Sequence, residues 1–174
     1  MQRTRWIILG LCLLVHVAAR TMQSAGDVRL QRDVRLMAVE RLVEPTRVTL
    51  GDVAHGRPLL IVAWTTWCAY CRQELADGAD LAAKLSALPE PCETVFVNVG
   101  EPRAVVASGR YAQEVASRIV LDPGADLARS FSVQAYPSYV LIDDQGAIIW
   151  SAVGLQKDLP GSVMSHLADL RGPK

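Results

Sequence analysis

The sequence predicts an α/β domain built around a central mixed β-sheet, with a β/α part followed by an antiparallel hairpin and a last helix. Three observations support this class. Residues 59–64, LLIVAW, form a continuous apolar run typical of a strand covered on both faces. A cysteine pair and a helix-forming run follow that strand directly. Nearer the C terminus, two apolar runs flank the turn DDQG at residues 143–146, which is typical of a β-hairpin.

The other elements are predicted from hydrophobic periodicity and turn residues. Residues 46–50 predict a short strand, and residues 51–58 a turn-rich connection. Apolar residues recurring every three and four positions predict one helix from Cys68 to about Leu88, where prolines end it. Residues 27–44 fit neither period and stay unassigned.

The second half of the chain alternates in the same way. The pattern predicts a buried strand over 94–99, a helix over 104–115, a short strand over 118–121, a helical turn over 126–131, hairpin strands over 139–142 and 148–153, and a last helix with Val163, Leu167 and Leu170 on one face.

Composition indicates one ordinary globular domain. Of the 174 residues, 51% are hydrophobic and 21% are charged, which is enough for one domain with a real core. Lysine plus arginine balance aspartate plus glutamate at 18 each. The chain therefore has no net basic charge with which to hold nucleic acid or an anionic membrane, and we expect no nucleic-acid partner.

The first nineteen residues resemble a secretory signal. Arg3 and Arg5 precede an apolar run from Trp6 to Ala19, which is shorter than the ~20 residues of a transmembrane helix. Two interpretations stay open: a signal peptide cleaved after Ala19, or an uncleaved signal anchor. Both predict export, to the periplasm or another extracytoplasmic compartment, as a soluble or N-terminally anchored protein. Residues 20–45 are then an N-terminal extension, and residues 46–174 are the folded domain.

Cys68 and Cys71 lie between the predicted central strand and the first turn of a helix. Free backbone N–H groups and the positive end of the helix dipole meet there, and both favour a thiolate at Cys68. Cys71 lies one turn further along the same face and can resolve a mixed disulfide formed at Cys68. The position and spacing therefore predict a redox-active dithiol.

Two other roles for this cysteine pair are disfavoured. A structural zinc site needs four ligands, and the mature chain offers only His55, Cys92 and His166 besides the pair, widely scattered along the sequence. A purely structural disulfide across two residues would constrain the unfolded chain little. We therefore expect no metal and no organic cofactor. We expect Cys92 to be a packed free thiol, with a regulatory or intermolecular bridge as the alternative.

The sequence resembles a known family. The run Trp67-Cys68-Ala69-Tyr70-Cys71, followed by a Tyr-Pro pair some seventy residues later and then a hairpin, is similar to the thioredoxin fold. More narrowly, TLGDVAHGRPLLIVAWTTWCAYCRQEL and VQAYPSYVLIDDQGAIIW resemble the TlpA/ResA-like exported bacterial thiol–disulfide oxidoreductases. The resemblance covers about residues 46 to 170. It implies a thioredoxin-like three-layer sandwich.

The resemblance also implies roles for individual residues. Cys68 is expected to be the exposed nucleophile, Cys71 the resolving thiol, and Glu74 an acidic modulator beside them. Pro137 is expected to be a cis proline packed against the pair, and the main chain from Tyr136 to Ser138 to bind an extended substrate. Trp64, Trp67, Tyr136 and Tyr139 are expected either to form an apolar rim around the dithiol or to serve as core. For Glu74, a solvated surface charge is the alternative.

The implied partners are exported proteins with disulfides and a membrane thiol electron donor, and the family includes reductants of cytochrome c maturation.

Val62 stands where many thioredoxins carry a buried aspartate. Tyr70 cannot become a cation, so one stabiliser of the Cys68 thiolate is missing and a reductase is favoured. An oxidase or isomerase remains an alternative. From another class, a non-catalytic thioredoxin-like binding module or a thiol metal chaperone also remains.

Overall fold

The computed structural model describes residues 34–170, and a seven-stranded mixed sheet lies at their centre. The strands are β1 (Ala38–Arg41), β2 (Arg47–Thr49), β3 (Leu59–Trp64), β4 (Glu93–Val99), β5 (Ile119–Asp122), β6 (Ser138–Ile142) and β7 (Ile148–Val153). From residue 50 onward, the helices are α1 (Leu50–Ala54), α2 (Ala69–Ala76), α3 (Gly78–Ser86), α4 (Arg103–Ala107), α5 (Gln113–Ala116), α6 (Asp126–Ser130) and α7 (Leu159–Asp169). The predicted signal segment lies outside the described residues.

The strand order is β2-β1-β5-β4-β3-β6-β7. Strand β4 pairs in parallel with β3 and with β5, whereas β6 runs antiparallel to β3 and to β7. At the other edge, β1 runs antiparallel to both β5 and β2. All six residues of β3 are buried, which confirms that it is a strand covered on both faces. The hairpin of β6 and β7 is confirmed as well.

The alternation of side chains along β3 produces the three layers, because successive residues of a strand point to opposite faces. On one face, Leu60, Val62 and Trp64 pack in a cluster with buried residues of α2, α3 and α7. On the other, Leu59, Ile61 and Ala63 pack with residues of α1 and α6. The predicted three-layer sandwich with a mixed sheet is therefore observed.

The helix predicted from Cys68 to Leu88 is two helices, α2 and α3. Asp77 separates them, and its N–H donates to the carbonyl groups of Gln73 and Leu75. Helix α3 begins at Gly78, where an added Cβ would lie 2.7 Å from the ring of Phe96. The close approach of α3 to the sheet over this ring fixes where the second helix starts, and periodicity does not reveal such a contact.

The helix predicted over 104–115 is also two short helices, α4 and α5. Between them the chain folds back on itself: the Tyr111 hydroxyl donates to the Val106 carbonyl at 2.9 Å. An added Cβ on Gly109 would lie 2.1 Å from the Tyr111 oxygen, so a larger residue there would displace the Tyr111 side chain. Leu170, predicted on the apolar face of the last helix, follows α7 and is exposed, whereas Val163 and Leu167 are buried.

Two segments near the N terminus differ from expectation. Residues 51–58, predicted as a connection, contain most of α1, which starts with a capping box: Thr49 Oγ1 accepts from the Asp52 N–H, and Asp52 accepts from the Thr49 N–H. Residues 38–41, expected within the N-terminal extension, form β1, so the sheet reaches further toward the N terminus than residue 46.

Within residues 34–170, none of the helices has the length and apolar character needed to cross a membrane.

Candidate redox site

Cys68 and Cys71 lie at the junction between the carboxyl end of β3 and the start of α2. Their sulfur atoms form a disulfide, and their Cα atoms are 5.3 Å apart. Cys68 is 5% exposed and Cys71 is fully buried. Cys68 is thus the more accessible of the two cysteines, but in the disulfide form it is buried rather than exposed as the resemblance implies.

The start of α2 supplies the electrostatics of the pair. Cys68 is the N-cap of this helix, and the Cys71 N–H donates to the Cys68 sulfur at 3.1 Å. The first N–H groups of a helix have no partners within it and carry the positive end of its dipole. A sulfur held at this point is stabilised as a thiolate once the disulfide is reduced.

The Tyr136–Pro137 peptide bond is cis, as the resemblance implies. It precedes β6, whose first residue, Ser138, is the antiparallel partner of Ala63 near the end of β3. This register places the cis-proline loop at the same end of the sheet as the dithiol.

The main-chain groups of the cis-proline loop are not all free. The Pro137 carbonyl accepts from the Gly154 N–H at 2.8 Å, and Ser138 is paired within the sheet. Among residues 34–170, no hydrogen bond engages the Tyr136 N–H or carbonyl group. Of the segment predicted to bind an extended chain, Tyr136 is therefore the residue with main-chain groups available to a substrate.

Aromatic residues adjoin the dithiol in the chain, since Trp67 directly precedes Cys68 and Tyr70 lies between the two cysteines. The Trp67 and Tyr70 side chains are 70% and 62% exposed. The rings of Trp67 and Tyr136 meet edge to face, with their centroids 5.8 Å apart. Trp64 and Tyr139, by contrast, are completely buried in the core cluster that contains both cysteines. Each of the two alternatives therefore holds for one pair of residues. Trp67 and Tyr136 form the aromatic rim beside the dithiol, and Trp64 and Tyr139 belong to the core.

Glu74 lies on α2, three residues after Cys71, and its side chain is half-buried rather than fully solvated. Burial raises the pKa of this carboxyl, the Tyr139 hydroxyl acts to lower it, and the charge of Asp77 raises it further. Burial and the charge of Glu74 in turn raise the pKa of Tyr139. The Tyr139 hydroxyl is buried with no partner in normal hydrogen-bond geometry, so Glu74 influences it without a close hydrogen bond.

Cys92 lies away from the dithiol. It directly precedes β4, at the end of the sheet opposite to the one where β3 leads into Cys68, because the two strands are parallel. Its thiol is buried and donates to the Glu93 carbonyl at 3.4 Å. Burial raises the pKa of Cys92 to about 12. Such a thiol is protonated and unreactive at neutral pH.

The two remaining histidines outside the signal segment are scattered in the fold. His55 ends α1 in a left-handed conformation, and His166 packs against Trp150 with a ring separation of 5.6 Å. In the described part of the chain, no three His, Cys, Asp or Glu side chains are grouped so that they could hold a metal ion.

Sequence reasoning missed one residue that contacts the redox loop. Glu101, after the end of β4, accepts hydrogen bonds from the backbone N–H and the hydroxyl group of Thr66, two residues before Cys68. A signal was present, since polar residues that follow neighbouring parallel strands meet at one edge of the sheet.

Comparison with known proteins agrees with this geometry. The model of the family described as Redoxin matches residues 28–164. The thiol-disulfide oxidoreductase ResA of Bacillus subtilis (strain 168) is 27% identical over 108 residues, which are 62% of this chain and 59% of that protein. The match thus spans about three fifths of this curated relative.

Solved structures share the fold. The exposed lipoprotein thioredoxin of Streptococcus pneumoniae strain TIGR4 has a TM-score of 0.61 at 18% identity, over 76% of this chain and 98% of that one. A putative thiol:disulfide interchange protein DsbE from Chlorobium tepidum has a TM-score of 0.62 at 22% identity, over 78% and 93% of the two chains. These similarities confirm the thioredoxin-like fold.

Proposed function

The chain belongs to the Redoxin family, and from this premise we propose that it is an exported thiol–disulfide oxidoreductase that reduces disulfides in other exported proteins. The observation that carries the proposal is the Cys68–Cys71 pair at the start of α2, at the same end of the sheet as the cis peptide of Pro137. The two sulfur atoms and the start of α2 lie next to the exposed Trp67, which we propose as part of the surface that binds a protein substrate.

The proposed reaction starts from the reduced pair. The Cys68 thiolate attacks one sulfur of a substrate disulfide, which forms a mixed disulfide and releases one substrate thiolate. Cys71 then loses its proton and attacks the Cys68 sulfur, which closes the Cys68–Cys71 disulfide and releases the second substrate thiolate. Two electrons pass to the substrate, and a dithiol donor must return them to the pair.

Glu74 is proposed to take the proton of Cys71 in the second step. It follows Cys71 by three residues, so both side chains lie on the same face of α2. A carboxyl with a raised pKa is a better proton acceptor than an ordinary glutamate, since the best general base has a pKa near the working pH. The half-buried position of Glu74 supports this role.

The substrate is proposed to bind as an extended segment across the rim. Trp67 and Tyr136 offer the apolar surface, and Tyr136 offers an unengaged N–H and carbonyl group for strand-like pairing. Because Gly154 already binds the Pro137 carbonyl, the pairing is limited to the residue before the proline.

Location and direction complete the proposal. The basic and apolar N-terminal segment supports export, and one structural relative is named an exposed lipoprotein. The similarity to ResA and the lack of a cationic side chain at Tyr70 support a reductase. The process that we propose for it is cytochrome c maturation. The proposed electron donor is a membrane thiol protein.

The direction is tested by the reduction potential of the Cys68/Cys71 pair in a defined redox buffer. A reductase should have a potential near that of thioredoxin, about −270 mV, whereas a strong oxidase would lie near −120 mV. A value at the oxidising end would replace the reductase by the oxidase or isomerase alternative. Stoichiometric metal bound by the reduced pair, without turnover, would instead indicate a thiol metal chaperone.

The roles of the two cysteines are tested by serine variants. Cys68→Ser should abolish reduction of insulin, whereas Cys71→Ser should accumulate a mixed disulfide through Cys68, because the attacking sulfur remains and its resolver is lost. Mass mapping of the trapped species checks this. Cys92→Ser is the matched control and should stay within about twofold of the wild type, since this thiol is buried and protonated. Preferential alkylation of Cys71 over Cys68 would reverse the assignment.

A further inference from the structure

Glu101 lies where the carboxyl ends of the parallel strands β3 and β4 meet. Its carboxylate accepts three hydrogen bonds: from the Thr66 N–H at 2.7 Å, from the Thr66 hydroxyl at 2.6 Å, and from the Asn98 side-chain amide at 2.7 Å. Asn98 is completely buried in β4 and is the parallel partner of Trp64. Glu101 therefore ties the end of the sheet to the loop that leads into Cys68.

This loop has few other attachments. Within residues 34–170, Glu101 is the acceptor for the Thr66 N–H, and a backbone N–H left without a partner in a partly buried position is costly. The exposed Arg72 side chain reaches the Thr66 carbonyl only at 3.4 Å, and the Cys68 N–H reaches the Thr65 carbonyl at 3.3 Å. Hydrogen bonds to a charged acceptor are about twice as strong as neutral ones. The carboxylate is thus the main restraint on the loop.

The position of Thr66 determines what this restraint controls. The next residue is Trp67, whose indole ring packs against Tyr136 on the proposed substrate rim. The residue after that is Cys68, whose sulfur is aligned with the Cys71 N–H at the start of α2. A loop held at Thr66 therefore presents the rim and the attacking sulfur in one fixed arrangement, and such preorganisation is a large part of catalytic efficiency.

We propose that Glu101 is a positioning residue for thiol–disulfide exchange: its carboxylate holds the loop at Thr66, so that Cys68 stays aligned with the start of α2 and Trp67 stays on the substrate rim. The inference rests on the proposed function of the dithiol, and in it Glu101 acts through the Thr66 loop. A carboxylate can accept all three hydrogen bonds at once, and hydrogen bonds to a charged acceptor are the stronger kind.

The chemistry of the side chain provides a sharp test with two variants. Glu101→Gln can keep all three contacts, because its amide oxygen can accept from the two N–H groups while its amide N–H donates to the Thr66 hydroxyl oxygen. Glu101→Ala removes all three. If positioning is the role, Glu101→Gln should stay within about threefold of the wild type in insulin reduction, and Glu101→Ala should lose about tenfold or more.

The pH dependence of Cys68 alkylation separates positioning from a simple charge effect. Loss of positioning moves the sulfur away from the start of α2, so the alkylation midpoint of Glu101→Ala should rise while that of Glu101→Gln stays near the wild type. Loss of a nearby negative charge would instead lower the midpoint in both variants. A lower midpoint in both, or superimposable curves for all three proteins, overturns the proposal.

Two further measurements keep the test decisive if Glu101→Ala folds poorly. Thr66→Val removes one of the three hydrogen bonds and should slow the reaction by a smaller factor, and Thr66→Ser should be faster than Thr66→Val. Glu114→Ala, an exposed acid on α5, is the matched control and should behave as the wild type. Wild-type protein that reduces no disulfide would contradict the proposed function, whereas the alkylation midpoints would still report on Glu101.

Discussion

At the residue scale, burial decides how each ionisable side chain near the dithiol behaves. Glu74 and Cys92 are both pushed toward their neutral forms by loss of water, which raises the pKa of each. Glu74 is only half-buried and lies on α2 three residues after Cys71, the position from which we propose that it accepts the proton of Cys71. Cys92 is completely buried at the other end of the sheet, so it serves as packing.

Glu74→Gln should change stability in a pH-dependent way. The pKa of Glu74 is higher in the folded protein than its ordinary value of 4.5, so folding disfavours the ionised form. The wild type is therefore relatively stabilised below that value and loses stability as the pH rises through the raised pKa. The variant, which cannot ionise, should be more stable than the wild type at neutral pH and lose this advantage at acidic pH. Urea unfolding at both conditions measures the difference.

The same variant should slow the second chemical step. Without the carboxylate, resolution of the mixed disulfide by Cys71 should slow by about 10²-fold, the lower end of the range for general acid–base catalysis. Stopped-flow measurement of mixed-disulfide decay checks this. Glu44→Gln, a change at an exposed acid, is the control and should alter neither stability nor rate. Unchanged decay in Glu74→Gln would leave Glu74 as a surface acid without a part in the mechanism.

At the element scale, one close contact between helix and sheet separates α2 from α3. Gly78 starts α3 directly over Phe96, and its hypothetical Cβ would also lie 3.3 Å from Val115. The active helix is thereby kept to the short segment Ala69–Ala76, which ends before the chain turns onto the sheet. The length of α2 is thus set by a tertiary contact rather than by helix propensity.

Gly78→Ala should destabilise the fold despite the better helix propensity of alanine. The propensity gain is about 1 kcal/mol, whereas overpacking a core usually costs about 1–3 kcal/mol, and here the obstacle is a fully buried ring. We expect a net loss of free energy of unfolding in urea titration. Adding Phe96→Leu should make the double variant less destabilised than the sum of the two single changes. Strict additivity would mean that the ring is not the obstacle.

At the scale of the whole molecule, the sheet brings the functional parts of the chain to one edge. The parallel pairing of β3 with β4 places Glu101 beside Thr66, and the antiparallel pairing of β3 with β6 places Pro137 at the same end as Cys68. Thr66 and Glu101, 35 positions apart, are thereby hydrogen-bonded, and the proposed site draws on three separate segments of the chain. At the opposite end of the sheet, Cys92 is buried beside Glu93, which forms an ion pair with Arg57.

Export is a property of the whole chain and is tested by cell fractionation with intact-mass measurement. We expect most of the protein outside the cytosolic membrane, because the N-terminal segment combines basic residues with an apolar run. In the soluble fraction, a protein whose mass corresponds to a chain that starts at Arg20 indicates cleavage after Ala19. In the membrane fraction, a protein with the full-length mass of 18.9 kDa indicates an uncleaved anchor. Full-length protein in the cytosol would contradict export.

The sequence by itself determined the features that depend on neighbouring residues. The buried strand β3, the cysteine pair at a helix start and the hairpin of β6 and β7 were predictable, because each is set by a continuous run of apolar residues, a fixed spacing or a turn. The resemblance of the segments around Cys68 and Pro137 to a known family also predicted the three-layer fold and the cis peptide bond before Pro137. The capping box of α1 was also local, at Thr49 and Asp52, and could have been recognised.

Only the tertiary structure decided what depends on contacts between distant segments. Strand β1 has a weak pattern of its own and is held by pairing with β5 and by Arg103, which donates to the Glu40 carboxylate at 2.7 Å and to the Leu42 carbonyl at 2.6 Å. The burial of Tyr139, the half-burial of Glu74 and the contact of Glu101 with Thr66 likewise arise from packing. Side-chain burial and long-range hydrogen bonds are set by which strands become neighbours, and periodicity along one segment carries no information about its neighbours.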